Sequence, residues 1–365
     1  MQKFISATEV AEKWNLSIRR VQIFCNEGRI PGAYKQSGVW LIPASATKPE
    51  KIKSGVKNET PKKSIKVVSL FSGCGGMDLG FEGGFPVLKV SVNKNINKDW
   101  KVRSIDKNWV RLPRTRFQTV FANDIRPDAK TAWINYFGKR GTPDSSYYLD
   151  SIVDLVKLYK ENKVNVFPTG IDVVTGGFPC QDFSVAGKRQ GFNSSKSHNG
   201  KEITDEPSVE SRGQLYMWMR EVISIVKPKV FVAENVKGLT NLADVKEIIE
   251  HDFSTVCDGG YIVIPARVLL AAEYGVPQSR ERVIFLGFRK SALTDEALKA
   301  LSQKVIPAEY DPYPVKTHSN QPSGELLPFV TTKQCFCGLQ EPEVASDVSQ
   351  KKYSKAKYMG KHCQG

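Results

Sequence analysis

The sequence predicts an α/β fold built on a doubly wound, mostly parallel sheet. Short apolar runs typical of buried strands alternate with segments of helical period such as 214–226. This alternation favours parallel strands joined by crossover helices. With 365 residues, 40% of them hydrophobic, the chain can bury one large core and still carry a smaller module. The predicted strands are 65–71, 120–122, 171–174, 230–233 and 283–288.

The charge and the cysteine content narrow the class of protein. A formal net charge of +15, from 53 Lys and Arg against 38 Asp and Glu, predicts attraction to a polyanion, with nucleic acid as the default partner. Seven scattered cysteines fit a reducing compartment and imply no disulfide framework. The chain shows neither an apolar signal region nor an apolar run long enough to span a bilayer. We therefore expect a cytoplasmic protein without a membrane anchor.

The first 45 residues predict a small helical module. Ser6-Ala-Thr-Glu9 is a capping box that opens a first helix, Ser17 caps a second helix, and Gly28 ends it. Turn residues surround short apolar pieces over 29–43, which predicts a hairpin. The order of helix, turn, helix and hairpin resembles the winged helix-turn-helix of excisionase and MerR-type DNA binders. A helical protein-interaction module is the alternative for this segment.

The composition changes after this module. The next stretch is rich in Lys, Ser, Thr, Pro and Glu and has few aliphatic side chains, which is typical of a flexible linker. The predicted division is a module at 1–45, a linker at 46–64, an α/β domain at 65–290 and a further region at 291–365.

Inside the α/β domain, residues 86–118 form an insertion that we call the basic insertion. It contains nine Lys or Arg against two Asp, together with Trp100 and Trp109. This composition suits contact with phosphates. A solvated loop with two packing tryptophans is the alternative.

A glycine-rich turn follows the first predicted strand, and a carboxylate follows the second. The turn, Ser72-Gly-Cys-Gly-Gly76, lets backbone NH groups approach a ligand, but a tight turn without a ligand is an equal alternative. Asp124 should lie beside it, because ligands of open α/β sheets bind outside the carboxyl ends of the strands. Gly73 and Asp124 are 51 residues apart, far from the roughly 20 of a dinucleotide fingerprint, so an NAD site is disfavoured.

Three further candidates follow or precede the remaining strands. Cys180 comes after Gly176-Gly-Phe-Pro179 at the end of the third strand, where a nucleophile would be exposed, although most cysteines are buried structural residues. Glu234 follows four apolar residues, unlike an acid on a solvated face. Arg280 and Arg282 precede the last strand, and its period of two puts both on one side and Glu281 on the other.

In this order the segments resemble the DNA cytosine C5-methyltransferase family, whose catalytic domain is Rossmann-like. The resemblance covers about 65–289 and rests on Phe71-Ser-Gly-Cys-Gly-Gly76, Gly177-Phe-Pro-Cys-Gln181, Glu234-Asn-Val236 and Gln278-Ser-Arg-Glu-Arg282. It implies S-adenosylmethionine as cofactor and double-stranded DNA as partner. The cofactor-binding residues that it implies are Phe71, Gly73, Gly75, Gly76, Asp124, Ile125, Asp150, Pro179 and Leu215.

The resemblance also implies a covalent mechanism. Cytosine C5 is a poor nucleophile until a thiolate adds at C6, which makes Cys180 the nucleophile. Glu234 would protonate N3, and Arg280 or Arg282 would bond the cytosine O2. The target base would have to leave the duplex stack to reach these groups. A restriction-modification system or host DNA methylation is the expected context.

The resemblance is incomplete after the arginine strand. Family members continue into a target-recognition domain and a closing segment with Gly-Asn-Ser-Val or similar, and 291–365 offers one predicted helix, 294–303, and no such segment. We expect either the larger subunit of a split enzyme or a truncated chain, weak or inactive alone. Cys335-Phe-Cys337 with His318, His362 and Cys363 has poor spacing for zinc, so no metal site is predicted.

Two other functions stay open. One is a cytosine C5-methyltransferase that acts on tRNA with the same cysteine and glutamate. The other is a DNA-binding regulator in which the methyltransferase domain is a relic and the first 45 residues act alone; replacing Cys180 would then change nothing in cells.

Overall fold

The computed structural model describes residues 4–26, 30, 33–36, 39–49, 64–161, 165–179, 215–241 and 244–336. The chain divides into two compact units, residues 1–62 and 63–365. The predicted linker, 46–64, lies mostly outside the described residues, so its flexibility stays a prediction.

The smaller unit has two helices and a three-stranded sheet. Its elements are β1 (Phe4–Ser6), α1 (Ala7–Trp14), α2 (Ile18–Asn26), β2 (Tyr34–Gln36) and β3 (Val39–Pro43). The capping box is confirmed: the Ser6 side chain accepts from the Glu9 NH, and the Glu9 carboxylate accepts from the Ser6 NH. β2 and β3 pair as the predicted antiparallel hairpin, and β1 adds to β3. Helix α2 ends at Asn26, and Gly28 lies outside the described residues.

The larger unit has an α/β architecture. Its strands are β4 (Ile65–Leu70), β5 (Pro86–Leu88), β6 (Arg103–Ser104), β7 (Trp109–Arg111), β8 (Phe117–Asn123), β9 (Tyr147–Tyr148), β10 (Val173–Gly176), β11 (Val230–Val236), β12 (Tyr261–Leu270), β13 (Glu281–Arg289), β14 (His318–Ser319) and β15 (Leu327–Pro328). Its helices are α3 (Gly76–Glu82), α4 (Pro127–Phe137), α5 (Ile152–Lys160), α6 (Leu215–Val226), α7 (Val245–Ser254), α8 (Asp295–Leu301) and α9 (Thr332–Cys335).

The described strands include one seven-stranded sheet in the order β12-β13-β11-β10-β4-β8-β9. The central pairs β11-β10, β10-β4, β4-β8 and β8-β9 are parallel, whereas β13 is antiparallel to both of its neighbours. The prediction of a mostly parallel sheet is confirmed. The main core lies between this sheet and helices α5, α6 and α7, with residues such as Val174, Met219 and Phe231 almost fully buried.

The strands differ from the prediction in several places: β8 is longer than 120–122, β10 is displaced from 171–174, and β9 was not predicted. β11 continues through Glu234 to Val236 and does not end at Ala233, because antiparallel pairing with β13 extends that far. β12 was not predicted, since Pro265 lies within it and proline argues against a strand. The structure accommodates Pro265 in an irregularity of the edge strand, between the paired residues Ile264 and Arg267.

The basic insertion contains a small sheet, and its contact with phosphates stays a prediction. β5, β7 and β6 form a three-stranded antiparallel sheet with Val110 buried. Trp109 is half-buried and Trp100 is exposed. In the part of the chain that the structure describes, no helix has the length and apolarity needed to cross a bilayer.

Candidate functional site

The glycine-rich turn joins β4 to α3 and is fixed by its neighbours. Phe71, directly after β4, has a φ of 53°, and Gly75, the N-cap of α3, has a φ of 87°. A Cβ on Gly75 would lie 2.5 Å from the Phe137 ring and 2.6 Å from the Trp133 ring, so this position requires glycine. The turn can pack this closely on α4 only because Gly75 lacks a side chain.

Asp124 lies next to this turn, at the end of β8, as the parallel pairing predicts. Its Oδ2 accepts a hydrogen bond of 2.9 Å from the Gly73 NH, and its Oδ1 accepts one of 3.1 Å from the Arg126 NH. A carboxylate has about four acceptor positions, so two remain for a ligand. The next residue, Ile125, is 42% exposed although it is apolar. The pair therefore offers hydrogen-bond acceptors and an apolar surface side by side.

Tyr147 was not predicted from the sequence as part of this region. Its hydroxyl donates to the Gly73 carbonyl at 3.0 Å, which ties β9 to the glycine-rich turn. Burial, and to a smaller extent the Asp124 charge, raises the pKa of the Tyr147 hydroxyl, so it remains a donor at neutral pH. The sequence signal for Tyr147 is its place three residues before Asp150. Asp150 is exposed, and its backbone carbonyl accepts a hydrogen bond of 2.7 Å from Asn123 Nδ2.

A second cluster lies at the ends of β10 and β11, which are parallel neighbours. Glu234 Oε1 forms an ion pair of 2.7 Å with Arg282 Nε and lies 4.0 Å from Arg280 Nη2. The Glu234 and Arg282 side chains are 23% and 24% exposed, whereas Arg280 is 48% exposed. Glu281 pairs with Lys237 instead, so the arginines lie on one side and Glu281 on the other, as the strand period predicts. Arg282 thus holds the Glu234 carboxylate in place.

The segment that leads to Cys180 passes this carboxylate. A Cβ on Gly177 would lie 3.1 Å from Glu234 Oε2, so the backbone at Gly177 lies close to the Glu234 carboxylate. Asn235 is buried, and its Nδ2 donates to the Phe178 carbonyl at 3.2 Å. The described part of the segment ends at Pro179, and Cys180 lies outside the described residues. Asn235 fixes the start of the segment, a role that its place in the Glu-Asn-Val motif did not reveal.

The remaining predicted residues differ in exposure. Gly73 and Gly76 border open space, because a Cβ on either would meet no atom within 4 Å. Leu215, the first residue of α6, is 4% exposed and belongs to the main core. Pro179 is half-buried.

Metal ligands are not apparent among the described residues, where no group of three His, Cys, Asp or Glu side chains could hold an ion. Both ring nitrogens of His318 already have partners, the Thr317 hydroxyl at 2.8 Å and the Val90 carbonyl at 3.0 Å. Cys337, His362 and Cys363 lie outside the described residues.

Comparison with known proteins gives the family. The Type II methyltransferase M.BspRI of Lysinibacillus sphaericus is 33% identical over 76% of this chain and 54% of its own length. M.NgoFVII of Neisseria gonorrhoeae is 30% identical over 77% of this chain and 54% of its own. The solved Dnmt2 methyltransferase of S. pombe is 18% identical, with a TM-score of 0.36, over 67% of this chain and 58% of that one. The chain spans about half the length of the curated relatives that it matches. The model of the C-5 cytosine-specific DNA methylases matches residues 65–364, and the chain belongs to that family.

Proposed function

We propose that this chain transfers a methyl group from S-adenosylmethionine to C5 of a cytosine in double-stranded DNA, through a covalent adduct at Cys180. The observation that carries the proposal is the approach of Gly177, three residues before Cys180, to the arginine-held carboxylate of Glu234. A nucleophile and an acid from adjacent parallel strands could then reach one pyrimidine ring.

The residues of the glycine-rich turn fit S-adenosylmethionine. Gly73 and Gly76 border open space, Asp124 keeps two acceptor positions for ribose hydroxyls, and exposed Ile125 offers a surface for adenine. When bound, the cofactor would supply an electrophilic methyl group. The set proposed to hold it is Phe71, Gly73, Gly75, Gly76, Asp124, Ile125, Asp150, Pro179 and Leu215.

The chain's own residues would carry the proton and electron movements. The Cys180 thiolate adds to C6 while Glu234, in its protonated carboxyl form, gives its proton to N3, which leaves an enamine with C5 as the nucleophilic atom. After C5 has gained its methyl group, the C5 proton leaves to a base, the C5–C6 double bond re-forms and the thiolate departs. Arg280, the more exposed arginine, is free to bond the cytosine O2, while Arg282 orients Glu234.

A 5-fluorocytosine duplex tests the chemistry. In 5-fluorocytosine, fluorine replaces the C5 hydrogen that a base would remove, so the protein–DNA adduct should persist. Mass spectrometry should then detect the protein joined to DNA, with the methyl group on the base. We expect a slowly formed adduct with the full chain, none with Cys180→Ala, and still slower formation with Glu234→Gln. Adduct formation by Cys180→Ala would overturn the proposal.

The same assay separates the other candidates. Incubation with tRNA carrying 5-fluorocytosine tests the tRNA alternative, and we expect the duplex to react faster. A relic domain would form no adduct with either substrate. A second polypeptide that supplies target recognition is part of the proposal. Co-expression with the product of the next open reading frame should then raise adduct formation.

DNA reading by the smaller unit is a separate proposal. One face of α2 is buried through Val21, Phe24 and Cys25, while Arg19 and Arg20 at its first turn are exposed. An exposed, basic helix start suits contact with a DNA groove. A gel shift with the full chain, Arg19→Gln and excess random competitor DNA tests it. If random DNA competes for the protein as strongly as any candidate site does, the smaller unit binds phosphates without reading the base sequence.

A further inference from the structure

The basic insertion is held as a rigid support for its charges. The Asn93 side-chain amide donates to the carbonyls of Thr317 and Glu325 at 2.9 and 2.6 Å. His318 holds the Val90 carbonyl from the same region at 3.0 Å. Together with the sheet of β5, β7 and β6, these bonds fix the insertion on the C-terminal part of the larger unit. Its exposed side chains are therefore displayed in a defined arrangement.

The charge of the insertion is not neutralised. Its nine Lys or Arg and two Asp give a net charge of +7, about half of the +15 of the whole chain. All nine cationic residues are exposed, and in the described part of the chain none of them pairs with a carboxylate within 4.0 Å. Exposed lysines elsewhere in this unit do pair, as Lys160, Lys229 and Lys237 do at 2.7 to 2.9 Å. These unpaired charges do not stabilise the fold.

Three of the cations form what we call the arginine cluster: Arg103, Arg111 and Arg114. Arg103 and Arg111 are direct partners across the antiparallel pair β6-β7, so their side chains leave the same face of the sheet. Like charges in such a position destabilise a sheet, and an anion between them would relieve the repulsion. The cluster therefore carries a cost that a bound anion removes.

The turn Gly83-Gly84, at the end of α3, brings the cluster together. Arg111 Nη1 donates to the Gly84 carbonyl at 3.0 Å, and a Cβ on Gly84 would lie 2.7 Å from Arg114 Cγ. Arg140 is structural: its Nη2 donates to the Gly83 carbonyl at 2.7 Å, its side chain is 10% exposed, and its Nη1 forms an ion pair with Glu82 at 3.9 Å. Arg140 therefore holds the turn in place, and its charge is paired with Glu82 instead of adding to the cluster.

We propose that the arginine cluster binds phosphodiester groups of the DNA backbone. Guanidinium groups bind phosphate oxygens through paired hydrogen bonds, and the other exposed cations of the insertion can follow successive phosphates. A free phosphate ion would neutralise only part of a surface of this charge. The proposal rests on the proposed function, because it names a contact to the same DNA substrate, made by residues that take no part in the proposed proton transfers.

The experiment measures duplex binding by the full chain as a function of salt. The variant Arg103→Gln/Arg111→Gln/Arg114→Gln is compared with a control that removes three exposed cations outside the insertion, Lys290→Gln/Lys299→Gln/Lys304→Gln. Fluorescence anisotropy with a labelled duplex gives log K against log salt from about 0.05 M to about 0.3 M. Each lost phosphate contact should lower the slope by about 0.9, so the cluster variant should lose about 2.7 and the control less than about 1.

The outcomes are distinct. Equal slopes in the two variants would overturn the proposal, and so would inorganic phosphate that competes with the duplex far beyond its contribution to ionic strength. An unchanged unfolding temperature of the cluster variant excludes misfolding. If the triple variant is unstable, the single variant Arg103→Gln should lower the slope by about 0.9. If the slope falls but no 5-fluorocytosine adduct forms, the proposed methyl transfer fails while this contact stands. If the adduct forms but the slope is unchanged, the proposed methyl transfer stands and this contact fails.

Discussion

Gly75→Ala and Gly76→Ala are neighbouring substitutions that should act on different properties. At Gly75 the φ of 87° strains an alanine by about 1 kcal/mol. Its Cβ would also meet Phe137 at 2.5 Å and Trp133 at 2.6 Å, two rings that are almost fully buried, and such overpacking costs about 1–3 kcal/mol. We expect Gly75→Ala to lower the free energy of unfolding by about 2–4 kcal/mol.

Gly76→Ala should leave the fold intact. Gly76 is the first residue of α3, and a Cβ there would meet no atom within 4 Å. Alanine is better than glycine in a helix by about 0.5–1 kcal/mol, so stability should stay equal or rise slightly. The new methyl group projects into the space proposed for the cofactor. We therefore expect weaker S-adenosylmethionine binding without loss of stability.

Urea denaturation and calorimetry measure the two effects. Tryptophan fluorescence follows the unfolding, because Trp133 lies in the affected cluster. The chain has two units, so the transition of the larger one is fitted separately. Titration with S-adenosylmethionine gives the affinity of each variant. Equal destabilisation by the two substitutions, or wild-type cofactor affinity of Gly76→Ala, would refute the reasoning.

Three more predictions concern the catalytic cluster and a buried acid. Arg282→Gln should slow adduct formation about 10- to 100-fold, since its bond to Glu234 is worth about 1.5–3 kcal/mol, and a larger loss from Arg280→Gln would contradict the assigned roles. Asn235→Ala should slow the same step about fivefold, from a lost hydrogen bond of about 1 kcal/mol, and an unchanged rate would exclude a positioning role. Burial raises the pKa of the Asp78 carboxyl from 3.8 to about 6. The native state then holds more protons than the unfolded one, so the free energy of unfolding should fall by about 3 kcal/mol as pH rises from about 4 to about 6. Urea titrations of Asp78→Asn should show a flatter pH profile, and an unchanged profile would assign the dependence to other groups.

The sequence determined which residues meet at the ends of the strands. Carboxyl ends of parallel strands share one edge of a sheet, so the order of apolar runs was enough to place Asp124 beside the glycine-rich turn. The capping box at Ser6 was equally predictable, because its hydrogen bonds join residues only three apart. The family also followed from the sequence motifs, and the family model confirms it.

Only the tertiary structure decided how those residues contact one another. The ion pair between Glu234 and Arg282 depends on the antiparallel register of β11, which ends at Val236, and β13, which begins 45 residues later at Glu281. β12 could not be predicted from the sequence because it contains Pro265. Proline fits within a strand only at a sheet edge or an irregularity such as the one between Ile264 and Arg267. The contacts of Tyr147 and Asn235 and the fold of the basic insertion likewise come from packing between distant segments. Spacing along the chain records local hydrogen bonds and strand period, whereas packing between distant segments follows from the complete set of burial and pairing constraints.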